Sequence, residues 1–362
     1  MRQWLGLGAV GIALLVSACS SSADDREAGS PARIDPSSSD DGSTSFVAPS
    51  DPSTGAGPAP GVATGAPASG VDEAPSPSEP PSGAGNGQQA ASGVLTAGAW
   101  DDNRNFSRFL GYRSGLAALD LPGLPTLTEA ELSIAHQLWL TAPSAKQALD
   151  ISLIIDTTGS MGDEIAYLQA EFLTLSKTIA MNHPGAQQRW SLVLYKDLED
   201  EYITKPFDFT TDTADFSKHL AAASASGGGD MPEAPDRAFE AAQQLAWSSQ
   251  DSTAKLAFWV ADAPHHSGQA EAMSDGIRGM GKLGVHVYPV ASSGVDELTE
   301  VTMRSAAALT GGRYLFLTND SGVGNDHKEP TIPCYFVTKL DLAIERMVDI
   351  ELSGVYREPD AT

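Results

Sequence analysis

The sequence predicts an α/β chain: a Rossmann-like, mainly parallel central sheet with helices on both faces, preceded by a small helical lead-in. Three observations carry that expectation. From Leu149 onward, short apolar runs alternate with segments of helical periodicity. The runs are apolar almost throughout, as strands buried on both faces require. Acidic and hydroxyl side chains gather directly after them, at the strand ends where open α/β sheets bind ligands.

Taken in order, Ile151–Ile155 is the first strand and ends in Asp156. Met161–Ala180 follows as a helix, with Ile165, Leu168, Phe172 and Leu175 at helical spacing. Trp190–Tyr195 is a second strand, and Ile203–Phe209 a short edge strand, because Pro206 is tolerated only at an edge. Residues 213–223 and 232–247 read as helices, the latter with Pro232 at its start. Leu256–Val260 is a third buried strand, followed by Asp262, a helix near 269–282 and a strand at Val285–Val290. Glu297–Leu309 is helical and Gly311-Gly312 ends it; Tyr314–Leu317 is the last strand, and 336–353 closes the domain as a helix. The domain is therefore expected over 149–353, with a tail at 354–362.

The region before it divides into three. Residues 93–148 carry Trp100, Phe106, Phe109, Leu110, Tyr112 and Leu116, a break at Pro122, Gly123 and Pro125, then a helix at Thr128–Leu140. Thr128 and Glu131 have the spacing of a capping box. This segment has too small a core to fold alone and is expected to pack on the main domain as a helical lead-in. Residues 19–92 are dominated by Ser, Gly, Pro, Ala and Asp, a composition expected to stay disordered. As a flexible coil they would form a tether roughly 50 Å in average span. Residues 1–18 read as a signal peptide whose apolar core is too short to span a bilayer.

Val16-Ser17-Ala18-Cys19 resembles a bacterial lipobox, which implies cleavage before Cys19 and its acylation. The Ser residues after it, by analogy with such lipoproteins, point to the outer membrane of a diderm bacterium. With Cys19 lipidated, Cys334 is left without a partner in the mature chain and is expected to be buried beside Tyr335, Phe336 and Val337. A net charge of −25, from 47 acidic and 22 basic side chains, argues against nucleic acid or anionic lipid as a partner. Membrane attachment is then expected through the lipid anchor alone.

The candidate chemistry lies on three loops. Asp156, Thr158 and Ser160 place an acid and two hydroxyls at alternate positions between the first strand and its helix. Oxygen-only donors suit a hard cation, Mg²⁺ first, with Ca²⁺ or Mn²⁺ as the others. Capping of the helix would use only one of the three. The other loops are Gly227-Gly228-Gly229-Asp230-Met231-Pro232-Glu233 and Ala261-Asp262-Ala263-Pro264-His265-His266.

Together these loops resemble the metal-ion-dependent adhesion site of von Willebrand factor type A domains. Asp156, Thr158 and Ser160 meet the Asp-x-Ser-x-Ser pattern with Thr for the first Ser, and Asp262 matches the acid after the fourth strand. Four stretches resemble a bacterial branch of that family: Asp-Thr-Thr-Gly-Ser-Met-Gly-Asp-Glu-Ile, Gly-Gly-Gly-Asp-x-Pro-Glu-Ala, Asp-Ala-Pro-x-His and Ser-Gly-Val-Gly-Asn-x-His-Lys-Glu-Pro. Trp100-Asp101-Asp102-Asn103 with Asn105-Phe106 resembles a segment preceding the domain in that branch. The resemblance implies a metal held by Asp156, Thr158, Ser160, Asp230 and Asp262, with an open position for an Asp or Glu carboxylate of a protein partner. Asp230 stands where many members have Thr, which adds negative charge and weakens the pull on an incoming anion. The implied function is binding, with no catalysis.

Other residues are weighed against plainer roles. His265 and His266 beside Asp262 suggest zinc, but adjacent side chains diverge and no third ligand follows; with Glu233 they are expected at the rim. Thr158-Gly159-Ser160-Met161-Gly162 nearly matches a nucleophile elbow, so the alternative function is a serine hydrolase acting through Ser160. That alternative leaves Asp156 without a role. Asp197 and Asp200 read as a solvated turn, Glu164 as a residue favourable to a helix dipole. The loop 319–333, with Asp320, Asn325, His327 and Glu329, could belong to the binding face or a second ion site.

Overall fold

The computed structural model describes residues 95–99, 106–140, 144–229, 231–319, 327, 330–332 and 335–357. The expected signal peptide, Cys19, the tether, the Trp100–Asn105 segment, Asp230, Cys334 and most of the 319–333 loop lie outside these residues.

The strands are β1 (Thr96–Ala99), β2 (Ala148–Asp156), β3 (Gln187–Tyr195), β4 (Thr204–Thr210), β5 (Thr253–Ala261), β6 (His286–Ala291), β7 (Leu315–Leu317) and β8 (Phe336–Lys339). They form one sheet in the order β4-β3-β2-β5-β6-β7-β1-β8. The run β3-β2-β5-β6-β7 is parallel; β4 joins antiparallel at one edge, and β1 lies antiparallel between β7 and β8. Pro206 does lie in an edge strand, where its missing N–H disturbs no further ladder.

The helices are α1 (Phe106–Ala118), α2 (Glu129–Leu140), α3 (Gly162–Asn182), α4 (Thr213–Ala221), α5 (Pro235–Gln243), α6 (Ala270–Lys282), α7 (Glu297–Thr310) and α8 (Leu340–Ser353). Strand side chains alternate between two cores. Ile151, Leu153 and Ile155 of β2 pack with Ile165 and Phe172 of α3, Phe216 of α4 and Ile344 of α8. Ile154, on the other face, packs with Phe239 of α5, Ile277 of α6 and Met303 of α7. The architecture is thus the expected mainly parallel sheet covered on both faces.

Several boundaries differ from the sequence expectation. The lead-in is not wholly helical, because β1 is a sheet strand. Its four residues are too few for a period to register, and close packing replaces bulk: a Cβ on Gly98 would lie 2.1 Å from Cε2 of Phe316. Phe336–Lys339 is a strand and not the start of the last helix, in keeping with Phe-Val-Thr in an extended segment. The helix expected from 232 begins at Pro235, which takes the first-turn position, while Pro232 follows a cis peptide in the loop before it.

Helices α1 and α2 do pack on the domain. Phe106, Phe109, Leu132 and Ala135 close on Ala308, and Leu116 on Leu298 and Val301. That covers the side of α7 turned away from the sheet and explains why α7 is buried nearly all round. The capping box of α2 forms: the Thr128 N–H and hydroxyl donate to Glu131 at 2.8 Å each, and the Glu131 N–H donates back to Thr128 Oγ1 at 3.2 Å.

Candidate metal centre

The parallel strands end along one edge, and the three expected loops meet there. Asp156 is the last residue of β2 and fully buried. Its Oδ1 accepts hydrogen bonds from the Thr158 N–H at 2.9 Å and the Thr158 hydroxyl at 2.7 Å. The carboxylate thereby shapes the turn that brings Ser160 forward on a single 3₁₀ turn, Gly159–Met161, ahead of α3. Ser160 is exposed and near enough to Asp262, which follows β5 and is 2 % exposed, to favour its charged carboxylate. Four of the five expected ligands, Asp156, Thr158, Ser160 and Asp262, are therefore on the same sheet edge. The fifth, Asp230, lies outside the described residues, directly after Gly229.

The electrostatics of this edge are those of crowded acids. Burial, then repulsion from Asp262, pushes the Asp156 carboxyl up to about 7, with hydrogen bonds from Thr158 offsetting part of the effect. Burial raises Asp262 as well. Glu233 is pushed up to about 9 by burial and then by Asp156, Asp197, Asp200 and Asp262. Asp156 Oδ2, Asp262 Oδ1 and Glu233 Oε2 are buried and accept no hydrogen bond from the described residues. Buried acids that repel one another, with oxygens left over, fit a hard divalent cation. Among the described residues no three His, Cys, Asp or Glu side chains converge to hold an ion by themselves. A cation here would rest on the two carboxylates together with the hydroxyls of Thr158 and Ser160.

The middle loop is built for close approach. Gly227 and Gly228 have φ of 73° and 60°, and a Cβ on Gly227 would stand 2.3 Å from Asp200 Oδ1. The Gly228 N–H donates to the Asp200 carboxylate at 3.1 and 3.2 Å. Asp200 is thus an anchor for the glycine loop, a role its place in a polar turn did not reveal. Asp197 accepts from His266 Nε2 at 2.6 Å.

His265 and Glu233 are corrected from rim to interior. His265 is 1 % exposed, its Nε2–H donates to the Gly123 carbonyl at 2.9 Å, and burial lowers its pKa. It bolts the loop after β5 to the lead-in. Glu233 is 3 % exposed, and its backbone N–H donates to Pro264 O at 2.8 Å. Glu164 is also more than a dipole partner. It is 3 % exposed, accepts from the Ser293 hydroxyl at 3.2 Å, and burial with the nearby Asp262 raises it to about 7. An acid in a first helical turn has no sequence signal that separates these roles.

Among the described residues no histidine is hydrogen-bonded to Ser160. A serine nucleophile needs a base in hydrogen-bond reach. The rings of His265 and His266 are engaged by Gly123 and Asp197.

A family model described as the von Willebrand factor A domain matches residues 150–275. Among curated proteins, the chain is 24% identical over 144 residues to an alpha-protein kinase, vwkA, of Dictyostelium discoideum, covering 40% of this chain and 23% of that protein. It is 30% identical over 123 residues to an ariadne-like RING finger protein, R811, of Acanthamoeba polyphaga mimivirus, covering 34% of this chain and 12% of that one. The match thus spans less than a quarter of either relative. Among solved structures, BatB of Bacteroides thetaiotaomicron aligns with a TM-score of 0.37 at 12% identity, over 56% of this chain and 97% of that one. The pilus adhesin SpaC of Lactobacillus rhamnosus GG aligns with a TM-score of 0.36 at 11% identity, over 50% and 30%. The matched residues and the sheet order together give the von Willebrand factor A fold.

Proposed function

We propose that the von Willebrand factor A domain of this chain is a metal-dependent binding module, carried on a lipid anchor, that engages a carboxylate of a protein partner. Asp156, Thr158, Ser160 and Asp262 would hold the cation, with Asp230 beside them on the third loop. Mg²⁺ suits the oxygen donors best, and Ca²⁺ or Mn²⁺ would also be accepted. The cation would supply an electrophilic position for an incoming Asp or Glu side chain. The observation that carries this reading is the pair of buried carboxylates, Asp156 and Asp262, each with an oxygen no described residue satisfies.

The test is thermal unfolding of the full-length chain with MgCl₂, CaCl₂ or MnCl₂ and in chelator. The wild type is expected to gain several degrees with metal, since an ion bound only by the native state stabilises by mass action. Asp156→Ala is expected to show no gain. Equal behaviour of the two proteins across all three metals would remove the metal reading.

The anchor rests on the resemblance around Cys19, and the outer membrane of a diderm bacterium is the proposed location. Expression of Cys19→Ser should move the protein from the membrane pellet to the soluble fraction. Retention in the pellet would sink the anchor. The partner fits a protein surface presenting a carboxylate, not nucleic acid, given the net charge of −25.

A further inference from the structure

The candidate site depends on donors from separate loops standing at a set spacing, and a lysine side chain lies between two of those loops. We propose that Lys196 is a positioning residue: its buried ammonium clamps the Asp156–Ser160 loop to the Ser226–Gly229 loop, so that the cation donors are in place before an ion arrives. The proposal rests on the metal-dependent reading above.

Lys196 follows the end of β3 and is 1 % exposed. Its Nζ donates to the Thr157 carbonyl at 2.6 Å, to the Ser226 carbonyl, and to Ser226 Oγ at 3.2 Å. Thr157 sits between Asp156 and Thr158, and Ser226 opens the glycine run that leads to Asp230. The three N–H donors of the ammonium thus meet three acceptors on two loops. A lysine at a surface turn normally keeps its ammonium in water, and a buried one is costly unless every donor is satisfied. Among the described residues its acceptors are all neutral, so the side chain is not there to close an ion pair.

The clamp is reinforced on both sides. The Ser226 N–H donates to the same Thr157 carbonyl at 3.1 Å, and the Gly159 N–H donates to Gly227 O at 3.1 Å. Tyr202 covers the ammonium, its ring centroid 5.5 Å from Nζ, while its hydroxyl shares a 2.7 Å hydrogen bond with Thr157 Oγ1. Lys196 is therefore the common point of three loops.

Two other roles give opposite or null outcomes. If Lys196 only offset the surrounding acids, removing its charge would tighten cation binding. If it only contributed to general stability, exchange would rise across the sheet and not in two loops. Positioning predicts local loosening and weaker binding together.

The experiment compares full-length wild type with Lys196→Met. In chelator, amide hydrogen exchange at 157–160 and 226–229 is expected to speed up roughly tenfold, with α3 unchanged. Calorimetric titration with MnCl₂ is expected to show affinity about tenfold weaker, a loss of positioning equivalent to one decade in Kd. Lys196→Arg, which keeps charge and donors, should recover most of the loop protection. Unchanged exchange in both loops, or tighter Mn²⁺ binding, would overturn the proposal. If wild type itself takes up no Mn²⁺, the metal reading fails while the exchange measurement still decides the clamp. If Lys196→Met does not fold, Ser226→Ala removes one exposed acceptor, and exchange in 226–229 that stays at the wild-type rate overturns the clamp.

Discussion

At the scale of single residues, the site is held together by groups that oppose one another. Asp156 at about 7 and Glu233 at about 9 both sit above the ordinary carboxylate range because burial and neighbouring acids disfavour their charged forms. The folded state therefore binds more protons than the unfolded state between about pH 4 and pH 9. Stability then falls as pH rises through that window, the reverse of a salt-bridged acid. Chelated protein should accordingly melt higher at pH 5 than at pH 8, and MgCl₂ at pH 8 should recover most of the difference. A melting temperature that rises steadily from pH 5 to pH 8 in chelator would contradict this. Glu131, held at about 2 by Arg278, acts in the usual direction, but its contribution is lost only at lower pH.

At the scale of elements, the closing strands are where packing decides. β1 pairs with both β7 and β8, so its four residues hold the last strand to the sheet. Gly98→Val would drive a branched side chain into the Phe316 ring, and a cost of about 2 kcal/mol is expected for such overpacking. The readout is a lower melting temperature with the urea m-value unchanged. The long, strongly patterned elements were legible from sequence: β2, β3, β5, β6, α3 and α7 lie where their apolar periods place them. β1 and β8 were not, since four residues leave no period and a partner more than two hundred residues away leaves no local trace.

At the scale of the whole molecule, the lead-in is packed and hydrogen-bonded onto the domain. α1 and α2 cover Leu298, Val301 and Ala308 of α7, His265 bonds to Gly123, and Arg278 of α6 bonds to Glu131 and to Thr126 O. A boundary at residue 149, natural from the strand and helix pattern, would expose that face and remove β1 from between β7 and β8. A chain beginning at residue 144 should therefore be insoluble or melt without cooperativity, while one beginning at residue 93 should unfold in a single transition. Equal cooperativity of the two would show that the lead-in is dispensable.

The sheet class, the two-sided burial of the central strands and the positions of Asp156, Thr158, Ser160 and Asp262 after their strands can all be read along the chain, because each follows from local periodicity and spacing. That Glu164, Asp200 and Lys196 belong to the same edge emerges from long-range contacts alone. Their partners, Ser293, Gly228 and the Thr157 and Ser226 carbonyls, come from other loops. Whether an acid or a lysine is solvated or buried depends on which loops the fold brings to it, and local spacing carries no record of that.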